Sequence, residues 1–165
     1  MLIDSGYSLE AATQLASLIG ISIILGRLLT GFIIDRFFAP RVAAILLTLS
    51  ALGFLALAVG ESNLIPLAPL LVGLSLGAEL DLVVYLTSRY FPPGAYSRAF
   101  GLSYAAFLFG VAVSPVIYAL LHRFAGDYAL AFLLAAVLLT VSAFVFATSP
   151  PYPDQRPVQT GNGLR

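Results

Sequence analysis

The sequence predicts an all-α membrane protein with five transmembrane helices. Three observations predict it. Sixty per cent of the 165 residues are hydrophobic and ten per cent are charged, and the mean hydropathy of +0.99 is more than a soluble domain of this size can hide from water. The apolar residues fall into five stretches, at about 9–35, 41–60, 64–89, 97–121 and 127–149. Each has the roughly 20 residues needed to cross a hydrocarbon core about 30 Å thick. The stretches are helical because backbone in lipid must satisfy its own hydrogen bonds. Residues 1–150 therefore form one helical bundle, and 151–165, polar and rich in Pro and Gly, read as a disordered tail.

Each span has its own start and stop. Ser8 is placed to cap the first helix, with Glu10 in its positive first turn. Asp35-Arg36 and then Ala39-Pro40-Arg41 mark the first turn, since proline cannot continue one helix but suits the start of the next. Gly60-Glu61-Ser62-Asn63 forms the second turn, Phe91-Pro92-Pro93-Gly94 the third, and His122 to Asp127, with Gly126, the fourth. The second and fifth spans carry no charge between Val42 and Gly60 or between Ala129 and Thr148, and read as lipid-facing. The first carries Arg27 and the third Glu79 and Asp81. Charges inside spans face a bundle interior or a water-filled path, so these two spans should line one. Gly101, Gly110, Ser114 and Pro115 in the fourth span predict close packing and a local break.

The charged residues bound the function. All eight basic residues are arginine, matched by eight acids, so there is no basic footprint for nucleic acid. There is no cysteine and only one histidine, His122. A multi-histidine or thiolate metal centre within one chain is excluded, and no cofactor is expected. With alternating spans, Arg36, Arg41, Arg89, Arg98, Arg156 and Arg165 share one side and Arg123 lies alone on the other. That bias puts the C-terminus in the cytoplasm and the N-terminus outside, in a plasma or inner membrane. The first ten residues lack the charged and apolar regions of a signal peptide. An external N-terminus and an odd number of spans leads to the expectation that further spans precede Met1.

Two strings carry chemistry. In "GRLLTGFIIDRFFAPR", residues 26–41, Gly31 would let a neighbouring helix approach closely. Asp35 can accept hydrogen bonds there, and Arg36 and Arg41 can pair with acids or helix C-termini. Such a cluster forms a latch in one conformation and opens in another, or else simply sets topology. In "GAELDLVVYLTSRYF", residues 77–91, Glu79 lies about 15 Å along the helix from Arg89, inside the hydrocarbon. Asp81 points to a face about 200° away, with Tyr85 one turn below it. A carboxylate in such surroundings either exchanges a proton in a coupled transporter or pairs with an arginine such as Arg27. Gly73-Leu-Ser-Leu-Gly77 matches the serine-hydrolase pattern but lies within an apolar helix rather than at a strand–helix elbow. It reads as a Gly73-x-x-x-Gly77 packing face, and the chain as no enzyme. His122 reads as a solvated loop residue.

The first string resembles the loop motif of the major facilitator superfamily, Gly-x-x-x-Asp-Arg followed by a basic residue, with Gly31, Asp35, Arg36 and Arg41 at its positions. Its later glycine is replaced by the Phe38-Ala39-Pro40 region, as in the family's C-terminal half. The charged third span, the double-proline turn, "GVAVSP" from Gly110 to Pro115 and the charge-free last span extend the resemblance to about residues 5–150. Together they look like family helices eight to twelve, a partial C-terminal bundle without the seventh helix and the N-terminal half. The resemblance implies secondary-active, ion-coupled transport of a small solute, with an organic anion as the weakest hint, by alternating access. Glu79, Asp81, Arg27, Tyr85 and Arg89 would lie on the substrate or coupling path, with Gly73, Gly77, Gly110 and Pro115 in helix packing. The expected partners are the lipid bilayer, a small-molecule solute, and the missing half or a second membrane chain. The competing reading is a truncated, non-transporting fragment or a subunit that docks on another protein's helices.

Overall fold

The computed structural model describes residues 9–60 and 67–153. Among them it contains five α-helices and no strand: α1 (Leu9–Ile34), α2 (Ala39–Val59), α3 (Leu67–Tyr90), α4 (Pro93–Ala125) and α5 (Ala129–Ala147). All five are long and apolar enough to cross a membrane. The cap expected at Ser8 and the turn residues Glu61, Ser62 and Asn63 lie outside the described residues.

Local chemistry sets the boundaries. Phe38 is the N-cap of α2, and Pro40 occupies its first turn, where a missing N–H costs nothing. Pro92 and Pro93 repeat the arrangement at α4, so Pro93 and Gly94, expected in the turn, are helical. α2 and α4 both stop on glycines at positive φ, Gly60 (73°) and Gly126 (80°). There the N–H groups donate to the Ala56 and His122 carbonyls, and a side chain would be strained. α5 begins after Asp127, whose Oδ1 accepts the Ala129 N–H at 3.1 Å.

α4 runs unbroken through Pro115, which corrects the expected break. Proline removes the N–H that would have bonded the Val111 carbonyl. Ser114 Oγ donates to that carbonyl at 3.3 Å instead. A neighbouring hydroxyl has re-satisfied the freed group.

Packing separates the helices differently from the charge pattern. α3 is central: α1 and α2 both pack along it, and α1 and α2 barely touch each other. α5 packs on the far side of α2, with Phe54 and Phe132 rings 6.1 Å apart. α2 is therefore not a simple lipid-facing span. Its small residues Ala43, Ala44, Ser50, Ala51, Gly53 and Ala56 are buried between α3 and α5, because small side chains let helices approach where no hydrophobic effect drives them together. α4 is the loosely held helix, with no buried residue. The close packing expected of Gly101 and Gly110 is absent, for a Cβ on either would meet nothing within 4 Å.

The turns between α1 and α2 and between α3 and α4 share one end of the bundle with the segment after α5. Tyr90 Oη donates to the Pro150 carbonyl at 2.6 Å, and the Ala39 N–H donates to Tyr152 Oη at 3.0 Å. Pro151 to Pro153, expected in the disordered tail, are thus placed against the bundle. Residues 154–165 lie outside the described residues.

Candidate functional site

The seam between α1 and α3 is built from residues too small to hold the helices apart. Gly73 and Gly77 face α1, as their spacing predicts. A Cβ on Gly73 would lie 2.6 Å from Ser22 Cβ and 2.9 Å from the Ile19 carbonyl oxygen. One on Gly77 would collide with the Ile23 carbonyl and come within 2.9 Å of the Arg27 nitrogen. The reciprocal glycine on α1 is Gly26, whose Cβ would collide with the Leu74 backbone. Gly31, expected to serve close approach, stands in open space. Among the described side chains of α1 the buried ones are Ser22, Gly26, Thr30 and Ile34, every fourth position, the first three of them small. The spacing of Ser22, Gly26 and Thr30 carries that signal in the sequence, apart from the Gly31 of the loop motif.

This seam brings Arg27 and Asp81 together. Arg27 lies on α1 one residue past Gly26, and Asp81 on α3 four residues past Gly77. The Arg27 Nε to Asp81 Oδ2 distance is 3.3 Å, and Nη2 donates to Oδ1 at 3.4 Å. Both contacts are long for charge-assisted bonds, which run about 2.7–2.9 Å. The Arg27 side chain is 66 % exposed and that of Asp81 30 %. Two of the five guanidinium N–H groups face Asp81, leaving donor capacity directed elsewhere.

Glu79 occupies a different chamber. It is half-buried and lines a cavity of about 130 Å³ with Ser75, Leu82, Ala43 and Phe146, between α2, α3 and α5. No hydrogen bond or ion pair reaches its carboxylate among the described residues. The divergence of Glu79 and Asp81 read from the helical angle is thus realised as two environments, one a mostly apolar cavity, one paired with an arginine.

Tyr85 and Arg89 belong to neither. Arg89 Nη2 donates to Tyr85 Oη at 3.0 Å, and its guanidinium sits 5.1 Å from the Tyr85 ring. It also lies 5.8 Å from the Tyr152 ring and within Coulombic reach of Asp35. These residues form a cluster at the end of the bundle. Tyr152 is its hub, packed against Phe38 (4.9 Å between centroids) and Tyr90 (5.3 Å). Burial pushes the Tyr152 phenol above its ordinary pKa, against the opposing pull of the Ala39 N–H and Arg89. Arg36 lies 4.2 Å over the Phe32 ring and Arg41 5.8 Å over Phe38, cation–π arrangements within the roughly 6 Å that such contacts span. Sequence reasoning missed Tyr152 because the proline-rich stretch around it read as tail.

His122 is not a loop residue. It lies in the last turn of α4, its ring stacked on Tyr128 at 4.1 Å, and its Nδ1 is buried without a partner among the described residues.

The geometry is that of a helical bundle with a charged pair inside its spans and a cationic–aromatic cluster at one end. No curated protein and no solved structure matches the chain. The family model described as Major Facilitator Superfamily matches residues 1–163. That is nearly the whole length and includes every span. The chain is a multi-pass membrane protein that belongs to the major facilitator superfamily, a family of transmembrane transporters and not of enzymes.

Proposed function

We propose that the chain works in secondary-active, ion-coupled transport of a small organic anion, with α1 to α5 serving as the eighth to twelfth helices of the family fold. One observation carries the reading: the Arg27–Asp81 pair within the spans, stretched and open on its arginine side. An anionic solute competes with Asp81 for the guanidinium, and its arrival or departure changes the charge balance of the α1–α3 seam. Glu79, beside its apolar cavity and with no ion-pair partner among the described residues, is the group that takes up and releases the coupling proton.

Alternating access then follows from rocking of this bundle against a second one. Five spans enclose no two-sided cavity, and α4 has no buried residue, so the second bundle, a preceding half or another membrane chain, covers α4 and completes the path. Asp35, Arg36 and Arg41 act in the latch at the cytoplasmic end, with Asp35 held near Arg89 while that end is closed. The arginine-rich end faces the cytoplasm and the Arg123 end faces outward. The same bare α4 face also supports the second reading, a non-transporting subunit that docks through this helix.

The test is uptake of small carboxylates into proteoliposomes that hold the chain with its completing bundle. Under transport, Arg27→Gln abolishes uptake, and Glu79→Gln leaves exchange but removes its dependence on a proton gradient. Unchanged assembly with a partner, and no uptake change in either variant, would favour the docking subunit.

A further inference from the structure

α1 and α2 are consecutive, yet both pack on α3 and splay from each other, leaving a cleft of about 500 Å³ between them. Its walls are Leu29 and Ile33 on α1 and Ile45 and Leu49 on α2, and Leu74 of α3 forms its floor. Leu29 and Ile45 are 52 % and 61 % exposed, so the cleft opens sideways along the spans. One cation, Arg41, lines it, at the end nearest the α1–α2 turn, and Arg36 lies in that turn. Asp35 shares the turn, but no ion pair joins it to Arg36 or Arg41 among the described residues.

We infer that this cleft holds one acyl chain of an anionic phospholipid, with the phosphate on Arg41. Three features agree on that occupant. The walls are apolar, which suits a hydrocarbon chain and not a soluble anion. From Arg41 to Leu49 the α2 wall runs about 12 Å at helical rise, close to the roughly 15 Å of one leaflet's hydrocarbon. The only charge on the wall is a guanidinium at the membrane–water boundary, where a phospholipid carries its phosphate and where guanidinium binds phosphate in bidentate fashion. The cleft is separate from Arg27, Asp81 and Glu79 but shares Arg41 with the proposed latch, so lipid retention is read directly and not through uptake.

The full chain, purified in detergent and stripped of lipid, is titrated with phosphatidylglycerol, with phosphatidylcholine of the same chains, and with glycerol phosphate as a headgroup without chains. Bound lipid is counted by native mass spectrometry. Phosphatidylglycerol should be retained about fivefold over phosphatidylcholine, the weight of one basic side chain at an anionic surface. Arg41→Gln should erase that preference, while Arg123→Gln, at the other end of the bundle, should leave it intact. Ile45→Trp, which fills the cleft without touching the charge, should lower retention of both lipids. Equal retention of the two lipids by the unaltered chain overturns the inference, as does a preference that survives both Arg41→Gln and Ile45→Trp. Competition by glycerol phosphate on equal terms overturns it too, since the site would then belong to a soluble anion.

Discussion

Replacing Gly77 with alanine adds one methyl group where α1 and α3 meet. The new Cβ would collide with the Ile23 carbonyl and lie 2.9 Å from the Arg27 nitrogen. Both neighbours are main-chain atoms of a helix, so neither can turn aside as a side-chain tip could. The helices must part along the seam. Overpacking of this kind costs typically about 1–3 kcal/mol, and the rigid backbone places Gly77 at the upper end. Alanine's better helix propensity returns at most about 1 kcal/mol. The expected net loss is therefore about 1–2 kcal/mol. Gly110→Ala is the matched control, because its Cβ would meet nothing within 4 Å and only the propensity gain, at most about 1 kcal/mol, remains. Thermal unfolding of the purified chain in one detergent should rank Gly110→Ala at or above the unaltered chain and Gly77→Ala clearly below it. If Gly77→Ala proved as stable as Gly110→Ala, the α1–α3 contact would not exist as described, and the placement of Arg27 against Asp81 would go with it.

Arg27→Gln and Asp81→Asn, combined in a double-mutant cycle, should show a coupling of about 1 kcal/mol or less in thermal unfolding, the scale of an exposed pair rather than a buried one; several kcal/mol would mean the pair is sealed. Tyr152→Phe removes the hydroxyl that accepts the Ala39 N–H and should cost about 0.5–1.5 kcal/mol, read by faster proteolysis after Ala147. Because burial raises the Tyr152 phenol, its docking is fully stable below the ordinary tyrosine pKa of about 10 and is lost as pH rises through the higher folded value. Tyr152→Phe should remove that alkaline component from the unfolding profile, and an unchanged profile would refute it. Cysteine at Asp127 should react with an impermeant thiol reagent from outside, and cysteine at Ser97 only after permeabilisation. The reverse pattern would invert the proposed orientation.

The spans were legible because hydrophobic length is a one-dimensional property, and the glycine pair at 73 and 77 because its spacing matches one helix face. The partnership of Arg27 with Asp81 was legible as a possibility only. Periodicity says which way a side chain points on its own helix, not which helix stands opposite. The same gap explains the errors. Charge-free α2 read as peripheral, but its alanines pack it between α3 and α5. Pro115 read as a break, because the rescue by Ser114 depends on one hydroxyl rotamer. Gly31 and Gly110 read as contact points, whereas openness to a neighbour is decided by the tertiary arrangement. Tyr152 read as tail because a Pro-rich composition describes the unfolded tendency of a stretch and not the cluster of rings it can land on.

The backbone-to-backbone seam has a mechanical consequence. Where helices touch through side chains, rotamers can be exchanged and one helix can slide past the other by small steps. α1 and α3 touch largely through glycines and main-chain atoms, which leaves few rotamers to exchange. The two helices are then expected to move together, holding the backbones at Arg27 and Asp81 at one spacing while the side chains stay free to part. Compliance is left to α4, joined to this pair by the Phe91–Pro92 link and gripped by no buried side chain. The closely seamed pair and the loosely held helix are therefore neighbours in sequence, meeting at the double proline.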